Sequence, residues 1–256
     1  MTDPHDELRA FWDRDAERYD RSPAHAASDP VEAPMWRAAL VRYLPPAPAR
    51  VLDVGAGTVA MSLMAADLGH RVTALDLSPG MLAAARKKAE AMGLEIETVI
   101  GNAAEPPPGP FDAVIERHLA WTLPDPVAAF RAWRAAAPAG RLILFEGIFD
   151  RAGLAQKIRS SVAHGVRGAL GVAHDHHGRY SDRLLATLPL ARSTSPTAYV
   201  EAVREAGWQG VRLERLRDVE WARRISSPVL LGWLEMVPRF AVVAEAWSGM
   251  RGDRNP

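Results

Sequence analysis

A carboxylate and two glycines lie close together in the segment VLDVGAGT, residues 51–58. Gly55 and Gly57 allow backbone to approach a ligand closely, and a helix beginning near Val59 would offer free N–H groups. The glycine spacing alone also fits a dinucleotide site. Asp53 favours a different ligand, because its carboxylate would repel a pyrophosphate but would pair with the α-ammonium group of an amino acid. We therefore expect a nucleotide that carries an amino acid.

The argument from Asp53 depends on its burial. Asp53 lies near the end of a predicted buried strand, where an unpaired carboxylate would cost several kcal/mol. It therefore needs a cation or a hydrogen-bond donor. A turn cap or a protein arginine would also meet this need, so both interpretations stay open.

A second carboxylate, Asp76, ends the next predicted strand, about twenty residues further along, where an acid can accept hydrogen bonds from ribose hydroxyls. Asp76 thus supports an adenosine ligand without choosing among nucleotides. Its alternative role is to cap the helix after Ser78. Leu77 and Met81, just beyond, would either wall an adenine ring or belong to the core.

These residues must be positioned by strands and helices that alternate along the chain. Such alternation is typical of a parallel sheet covered by helices on both faces. The predicted strands lie at 50–56, 71–77, 96–101, 111–116 and 141–147, with two more around 211–216 and 240–244. We expect a doubly wound α/β fold, Rossmann-like, with a seven-stranded mostly parallel sheet and its ligand at the carboxyl ends of the first strands.

Three helices have clear start signals, since a capping side chain precedes a proline that suits the first helical turn. The pairs are Ser78-Pro79, Asp125-Pro126 and Ser195-Pro196. Two regions fall outside the alternation. Within a single domain of residues 1–256, we expect residues 1–45 to form a helical lid and residues 150–192 a substrate-facing insertion, because long connections are often functional.

Charge and composition exclude several classes of function. Lysine and arginine together number 31, as do aspartate and glutamate, so the chain has no net charge. It therefore lacks the positive electrostatic field expected of a protein that binds nucleic acid. The chain has no cysteine, which excludes disulfides and thiolate ligands. The apolar stretch near residues 229–237 is too short to span a bilayer. We expect a cytoplasmic protein with no nucleic-acid or membrane partner; nothing predicts its oligomeric state.

The chain resembles the class I S-adenosylmethionine (SAM)-dependent methyltransferases, close to the bacterial small-molecule type. The resemblance covers roughly residues 50–147 and lies in an ordered series of motifs: VLDVGAG, ALDLSPGML, IGNAAEPP, FDAVIERHLAWTLPDPVAAFRAW and PAGRLILFEG. It implies a biosynthetic enzyme that transfers the SAM methyl group to an N, O or C atom of a small-molecule acceptor. A nicotinamide-dependent oxidoreductase and a SAM-binding protein with non-methylating chemistry are the alternatives; the former leaves Asp53 unexplained.

The resemblance also implies residue roles. The methionine end of SAM would be held by Asp53 and the turn Gly55, Ala56 and Gly57, the ribose by Asp76, and the adenine would be bordered by Asn102 and Ala103. Glu116, Arg117 and His118 would line the cleft, and Tyr19 would lie over the SAM site. Two positions depart from the family pattern: Val59 replaces a usual third glycine, and Asn102 stands where an acid often contacts the adenine amino group.

Histidines supply the candidate for acid–base chemistry. A hydroxyl or protonated amine acceptor would benefit from a general base, and histidine suits neutral pH. His118 is the candidate, since the end of its strand should face the cleft; its alternative role is a hydrogen bond to the lid or to SAM. The cluster at residues 174–177, HDHH, would contact substrate or form a solvated loop, and we expect no metal, because adjacent loop residues rarely surround one ion.

Overall fold

Seven strands form one sheet in the computed structural model, which describes residues 4–20, 28–148, 154–171 and 180–246 of the chain. The strands are β1 (Arg50–Val54), β2 (Arg71–Asp76), β3 (Glu97–Ile100), β4 (Ala113–Arg117), β5 (Arg141–Gly147), β6 (Gln209–Arg215) and β7 (Arg239–Glu245). Their spatial order is β3-β2-β1-β4-β5-β7-β6. The pairs among β1 to β5 are parallel, and β7 is antiparallel to both neighbours. The predicted seven-stranded, mostly parallel sheet is confirmed.

The central strands are apolar because helices cover both faces of the sheet. Successive side chains of a strand point to opposite faces. On β4, Val114 therefore packs with Phe130 and Trp133 on one face, whereas Ile115 packs with Trp36 on the other. Both layers hold the strand ends rigidly, and these ends carry the polar residues of the site.

Ten helices occur in the described parts of the chain, together with a 3₁₀ turn at Ala120–Thr122. They are α1 (Pro4–Tyr19), α2 (Glu32–Tyr43), α3 (Ala60–Asp67), α4 (Pro79–Met92), α5 (Pro126–Ala136), α6 (Leu154–Leu170), α7 (Asp182–Ala186), α8 (Thr197–Glu205), α9 (Arg217–Ile225) and α10 (Val229–Leu234). None of these helices is long and apolar enough to cross a bilayer.

Two of the three predicted helix starts are confirmed. Ser78 Oγ accepts a hydrogen bond from the N–H of Met81 at 3.1 Å, and Asp125 Oδ1 accepts one from Ala128 at 2.8 Å. The third start was one residue too early. α8 begins at Thr197, because the proline before it takes the capping position and the Ser195 hydroxyl binds the N–H of Thr197 itself, at 3.2 Å.

The two helices within residues 1–45 have different surroundings, and a role of this region as a lid stays a prediction. α1 packs against α4 and reaches over the carboxyl edge of the sheet. α2 instead belongs to the core, where Trp36 and Leu40 are fully buried and Tyr43 nearly so. These three residues recur at helical spacing, which gives α2 an apolar face that must be covered.

The predicted insertion at residues 150–192 contributes two helices. Arg159 of α6 donates hydrogen bonds to the carbonyl oxygens of Trp233 and Leu234, at 2.9 and 3.0 Å, which ties α6 to α10. Leu184 and Leu188, in and after α7, pack against Leu8 of α1 and so extend the lid. The histidine cluster at 174–177 lies outside the described residues.

Candidate active site

A cleft lies at the carboxyl ends of β1, β2 and β4, beneath α1. Its volume is about 780 Å³ when the open space at its mouth is included. Ligands of open α/β sheets bind at this edge, where neighbouring strands lead into helices on opposite faces. Ten predicted site residues line the cleft: Tyr19, Gly55, Gly57, Asp76, Leu77, Met81, Asn102, Ala103, Arg117 and His118. Three others, Asp53, Ala56 and Glu116, are not part of its wall.

The glycine turn after β1 requires glycine for two reasons. Gly55 has φ +64° and Gly57 has φ +55°, which is the left-handed region that favours glycine. A Cβ atom on Gly55 would also lie 2.7 Å from a methyl carbon of Leu119. The N–H of Ala56 donates to the carbonyl oxygen of Leu75 at 3.1 Å, so this residue braces the turn against β2 instead of facing the cleft.

Val59, at the position where the family usually has a third glycine, keeps the backbone that a glycine would adopt. Its φ is +62°, which costs a residue with a Cβ atom about 1–2 kcal/mol. Its side chain is fully buried against Leu63 and Leu82. Burying a valine contributes about 1.5–3 kcal/mol, so packing offsets the strain and the turn keeps its shape.

Asp76 connects the glycine turn to the start of α4. Its Oδ2 accepts a hydrogen bond from the N–H of Gly57 at 2.7 Å, and its Oδ1 accepts one from Ser78 at 2.8 Å. Burial raises the pKa of Asp76 to about 6. Each carboxylate oxygen has two lone pairs, so Asp76 can hold the turn and still accept from ligand hydroxyls in the cleft.

Asp53 has a protein partner that the sequence argument did not identify. It is almost fully buried, and its Oδ2 accepts a hydrogen bond from the hydroxyl of Ser62 at 2.6 Å. Burial raises its pKa to about 7, while Arg117 and Ser62 lower it. The sequence argument required a cation or a hydrogen-bond donor for Asp53 and left a partner within the protein open, and Ser62 is such a partner. Ser62, a lone hydroxyl in the otherwise apolar start of α3, was the available signal.

Glu116 lies beneath the cleft wall and not in it. It is fully buried, and its Oε2 accepts hydrogen bonds from the N–H groups of Leu119 and Ala120, at 2.8 and 3.2 Å. Burial and the neighbouring Glu146 raise its pKa well above the usual range. The expectation that Glu116 lines the cleft is wrong, because alternation along β4 turns it to the same buried face as Val114.

His118 and Arg117 end β4 and face the cleft. The guanidinium of Arg117 lies 5.4 Å from the centre of the Trp36 ring. The imidazole of His118 lies between side chains of β5 and β7. Its Nδ1 is 3.6 Å from Glu146 Oε2, and Arg239 Nη1 is 2.5 Å from its Nε2 and 3.5 Å from its Nδ1. Sequence reasoning placed neither Glu146 nor Arg239 in the site.

The loop after β3 is fixed by its own hydrogen bonds. Asn102 Oδ1 accepts from the N–H of Ala104 at 3.0 Å, and the carbonyl oxygen of Ala103 accepts from the indole N–H of Trp133 at 2.6 Å. Asn102 and Ala103 are thus held at the cleft wall. A contact from either residue to an adenine ring stays a prediction.

Acidic residues in and just after α1 bind to the glycine turn region and to the start of α4. Asp13 Oδ1 accepts hydrogen bonds from the Ser78 hydroxyl and from the N–H of Gly80. Asp20 Oδ1 accepts from the Thr58 hydroxyl at 2.6 Å, and Asp20 also pairs with Lys88. In the sequence, the acidic residues of FWDRDAERYD, residues 11–20, were the feature from which these contacts could have been predicted.

Aromatic rings close the space under the lid. Trp12 packs edge-on against Tyr19, with ring centres 5.8 Å apart, and Tyr180 contacts both Phe11 and Trp121 at 4.7 and 5.5 Å. Burial raises the pKa of Tyr19. This cluster can keep water away from the cleft. Within the described ranges, no group of three or more histidine or acidic side chains could hold a metal ion.

Comparison with known proteins finds a family whose model matches the part of the chain that builds most of this site. Residues 52–144 match the family model described as "Methyltransferase domain". The matched segment contains the glycine turn, Asp76 and His118, and it ends within β5.

Part of the chain is similar to two curated methyltransferases. The chain is 36% identical over 138 residues to "Ubiquinone biosynthesis O-methyltransferase" of Xanthomonas axonopodis pv. citri (strain 306), a match that covers 52% of the chain and 54% of the relative. It is 40% identical over 117 residues to "Demethylmenaquinone methyltransferase" of Thermus thermophilus, covering 43% and 53%. The chain thus spans about half the length of the curated relatives that it matches.

A solved structure extends the likeness of the fold beyond residues 52–144. Magnesium protoporphyrin IX methyltransferase from Synechocystis PCC 6803, solved with bound SAM, superposes with a TM-score of 0.56 at 14% identity. The superposition covers 96% of this chain and 98% of that one. At such low identity the likeness concerns the fold alone, and it agrees with the predicted doubly wound α/β architecture.

Proposed function

We propose that the chain transfers the methyl group of SAM to a small-molecule acceptor. The observation that carries the proposal is the glycine turn fastened to Asp76 at the carboxyl edge of a methyltransferase domain. Gly57 donates to the same carboxylate that faces the cleft, so one residue shapes the turn and presents acceptors to a ribose. The predicted cofactor is therefore SAM.

The residues of the cleft fit SAM in type and placement. Asp76 would accept from the ribose hydroxyls, and the turn Gly55 to Gly57 would lie against the methionine end. The adenine would lie among four residues of the cleft wall: Leu77, Met81, Asn102 and Ala103. Tyr19 and Arg117 would complete the wall under the lid. SAM supplies an activated methyl group on a sulfonium, so the protein's main task is to align the acceptor and exclude water.

For Asp53, we propose a contribution to binding of the methionine ammonium group. Ser62 donates to one of its oxygens, but a carboxylate can accept several hydrogen bonds. A negative charge next to the glycine turn would favour an ammonium group and disfavour a pyrophosphate. This reasoning distinguishes SAM from a nicotinamide cofactor, whose pyrophosphate would have to lie at the same turn.

His118 is our proposal for the general base. It lines the cleft directly after β4. The insertion at 150–192 is proposed to face the acceptor, since its α7 packs on the lid. The cytoplasmic location and the absence of nucleic-acid and membrane partners stay predictions.

Two measurements test the proposed function. Calorimetric titration with SAM, S-adenosylhomocysteine and NAD(H) should show binding of the first two and not of the third. Binding of NAD(H) alone would support an oxidoreductase and refute the proposal. Incubation with SAM and a low-molecular-weight cell extract, followed by mass spectrometry, should then yield S-adenosylhomocysteine and a methylated acceptor in equal amounts. Binding of SAM without this product pair would support the non-methylating alternative.

A further inference from the structure

Two short helices before β7 expose large apolar side chains to solvent. α9 and α10 follow each other in the chain and pack together, and five of their apolar residues are between 52% and 79% exposed. We call these five residues the α9–α10 patch: Trp221, Ile225, Val229, Leu230 and Trp233. Single exposed apolar residues are ordinary on a protein surface, so the patch has a meaning only if its members are contiguous.

The side chains of the α9–α10 patch form one continuous surface. Residues four positions apart share a face of a helix, as Trp221 and Ile225 do on α9. Val229 and Trp233 do the same on α10. The guanidinium of Arg224 joins the two helices, because it lies 3.7 Å from the centre of the Trp221 ring and 4.1 Å from that of Trp233. The two indole rings therefore flank one cation and belong to the same surface.

The shape of this surface is fixed by the packing beneath it. A Cβ atom on Gly232 would lie 2.3 Å from the carbonyl oxygen of Arg224, so α10 approaches α9 more closely than any other residue would allow. Leu231 is almost fully buried and anchors α10 in the protein. Arg159 of α6 binds the carbonyl oxygens at the end of α10. Because the patch is already ordered, little conformational entropy would be lost when a partner binds to it.

The area of the patch matches that of a contact between two proteins. Five side chains of this size, each at least half exposed, present on the order of 500 Å² of apolar surface, since one aromatic side chain alone can bury about 150–250 Å². A standard interface covers about 800 Å² on each partner, and the interfaces of homodimers are about 65% apolar, or roughly 500 Å². The patch therefore supplies the apolar area that a stable dimer needs.

The charges around the patch favour an uncharged partner surface. Three charged side chains of α9 are paired within the chain: Asp218 with Arg42 at 2.6 Å, Glu220 with Arg215 at 2.9 Å, and Arg223 with Glu32 at 3.6 Å. Arg224 lies between the two indole rings. Binding to an anionic lipid surface depends on cations that remain available, whereas an apolar surface needs none. The chain as a whole has no net charge, so two copies do not repel each other.

We propose that the α9–α10 patch is the contact surface of a homodimer, in which it meets the same patch of a second copy across a two-fold axis. In such an interface one surface must fit itself, which an apolar surface can do without bringing like charges together. Tryptophan and arginine, which lie side by side in the patch, are the residue types that carry most of the binding energy in protein interfaces. The inference does not depend on the proposed function, because it involves neither cofactor nor acceptor.

Sedimentation velocity of the intact chain, without SAM or acceptor, tests the dimer. Wild type should sediment as a dimer at micromolar concentrations. Val229→Asp places a charge at the most exposed position of the patch and should weaken dimerisation at least a hundredfold, with circular dichroism showing that the variant is folded. Met92→Asp is the matched control, because Met92 is 59% exposed on α4, and its dimer should be unchanged. A monomeric wild type, or a dimer that survives Val229→Asp, would overturn the inference.

Cross-linking tests which surface forms the contact. The chain has no cysteine, so a single introduced cysteine can form a disulfide only with its copy in another chain. Cysteine is placed at each of the five patch positions in turn, and mild oxidation should link at least one of these variants into a covalent dimer, while Met92→Cys stays unlinked. If none of the five is linked, the inference fails. Binding of monomeric wild type to phosphatidylglycerol vesicles would assign the patch to a lipid surface and would equally refute the dimer.

Discussion

The acids near the ends of β1 and β2 differ from those near the ends of β4 and β5 in how their oxygens are satisfied. Asp53 and Asp76 accept from Ser62, Gly57 and Ser78, all of which lie in the turn or helix that follows β1 or β2. Glu116 and Glu146 each keep one buried oxygen with no hydrogen-bond partner among the described residues. We call the ends of β1 and β2 the cofactor half of the sheet edge. The acids of this half find hydrogen-bond donors nearby in the chain, whereas the acids of the β4 and β5 half each keep one oxygen without a hydrogen bond from any described residue.

This difference indicates which half must change during the reaction. An unsatisfied buried acceptor costs about 1–3 kcal/mol, so a fold keeps one only where something offsets that cost. The cofactor half needs a fixed shape to bind the same nucleotide in each cycle. We propose that the β4 and β5 half accepts a proton and releases it, and carboxyl groups with raised pKa values suit that task.

The largest expected effect comes from Asp76→Ala in the cofactor half. The substitution removes the acceptor of both Gly57 and the ribose hydroxyls. Because hydrogen bonds to charged groups contribute about 1.5–3 kcal/mol, we expect a loss of about 3 kcal/mol, or about a hundredfold in SAM affinity. Calorimetry measures it. An affinity within a few-fold of wild type would show that the two halves do not differ in the proposed way.

The second prediction concerns the pH dependence of folding stability. Burial raises the pKa of Glu146 from 4.5 to about 8, so the native state retains a proton that the unfolded chain releases. The corresponding stability is fully present below pH 4.5 and is lost as the pH rises to about 8. Glutamine stays neutral, so Glu146→Gln should lose less folding stability than wild type as the pH rises. The difference should be on the order of 2 kcal/mol, because one pKa unit corresponds to about 1.4 kcal/mol and coupled groups share a shift.

Urea denaturation at pH 5 and pH 8 checks this prediction. The free energy of unfolding of Glu146→Gln minus that of wild type should be more favourable at pH 8 than at pH 5. Glu116→Gln should change in the same direction, because burial and its neighbour raise that pKa too. An unchanged difference between the two pH values would mean that the carboxyl pair ionises as readily as in solvent.

A smaller effect is expected from Asp53→Asn, with Ser62→Ala as its matched partner. The amide can still accept from Ser62, so folding stability should hardly change, while loss of the charge should weaken SAM binding about tenfold, or about 1.4 kcal/mol. Ser62→Ala should do the reverse and cost about 1 kcal/mol of stability with little loss of affinity. Equal SAM affinity in Asp53→Asn and wild type would assign Asp53 a purely structural role.

The smallest effect concerns the lid. Asp13→Ala removes the acceptor of the Ser78 hydroxyl and of the Gly80 N–H, which hold α1 over the cofactor half. We expect SAM to dissociate roughly five times faster, since a hydrogen bond contributes about 1 kcal/mol. Stopped-flow displacement measures the rate, and far-UV circular dichroism controls for loss of α1. A rate equal to that of wild type would show that the lid does not retain the cofactor.

The cofactor half could be predicted from the sequence because its signals are local. The glycine turn and the caps at Ser78 and Asp125 depend on residues only a few positions apart. Asp76 was found because it ends a strand. The seven strands were found by their apolar runs, with ends shifted by one or two residues where capping or pairing begins.

The other half depends on the order of strands in the sheet, which the sequence pattern does not specify. His118 and Arg239 are 121 residues apart in the chain and meet only because β5 lies between β4 and β7. Glu146 had a signal that was overlooked: β1, β2, β4 and β5 each carry an acid at or near their carboxyl ends. In α2, the buried position of Trp36 depends on partners from distant strands, which the sequence pattern does not specify.

The direction of β7 has a consequence for how such a protein can diversify. Because β7 runs opposite to β5, it delivers its first residue to the edge where the parallel strands deliver their last. The connection before it, with α9 and α10, can therefore lengthen, shorten or change sequence and alter what reaches His118. The nucleotide-binding turn would not be disturbed, so new acceptors could be adopted through a late segment of the chain while the earlier segment stays as it is.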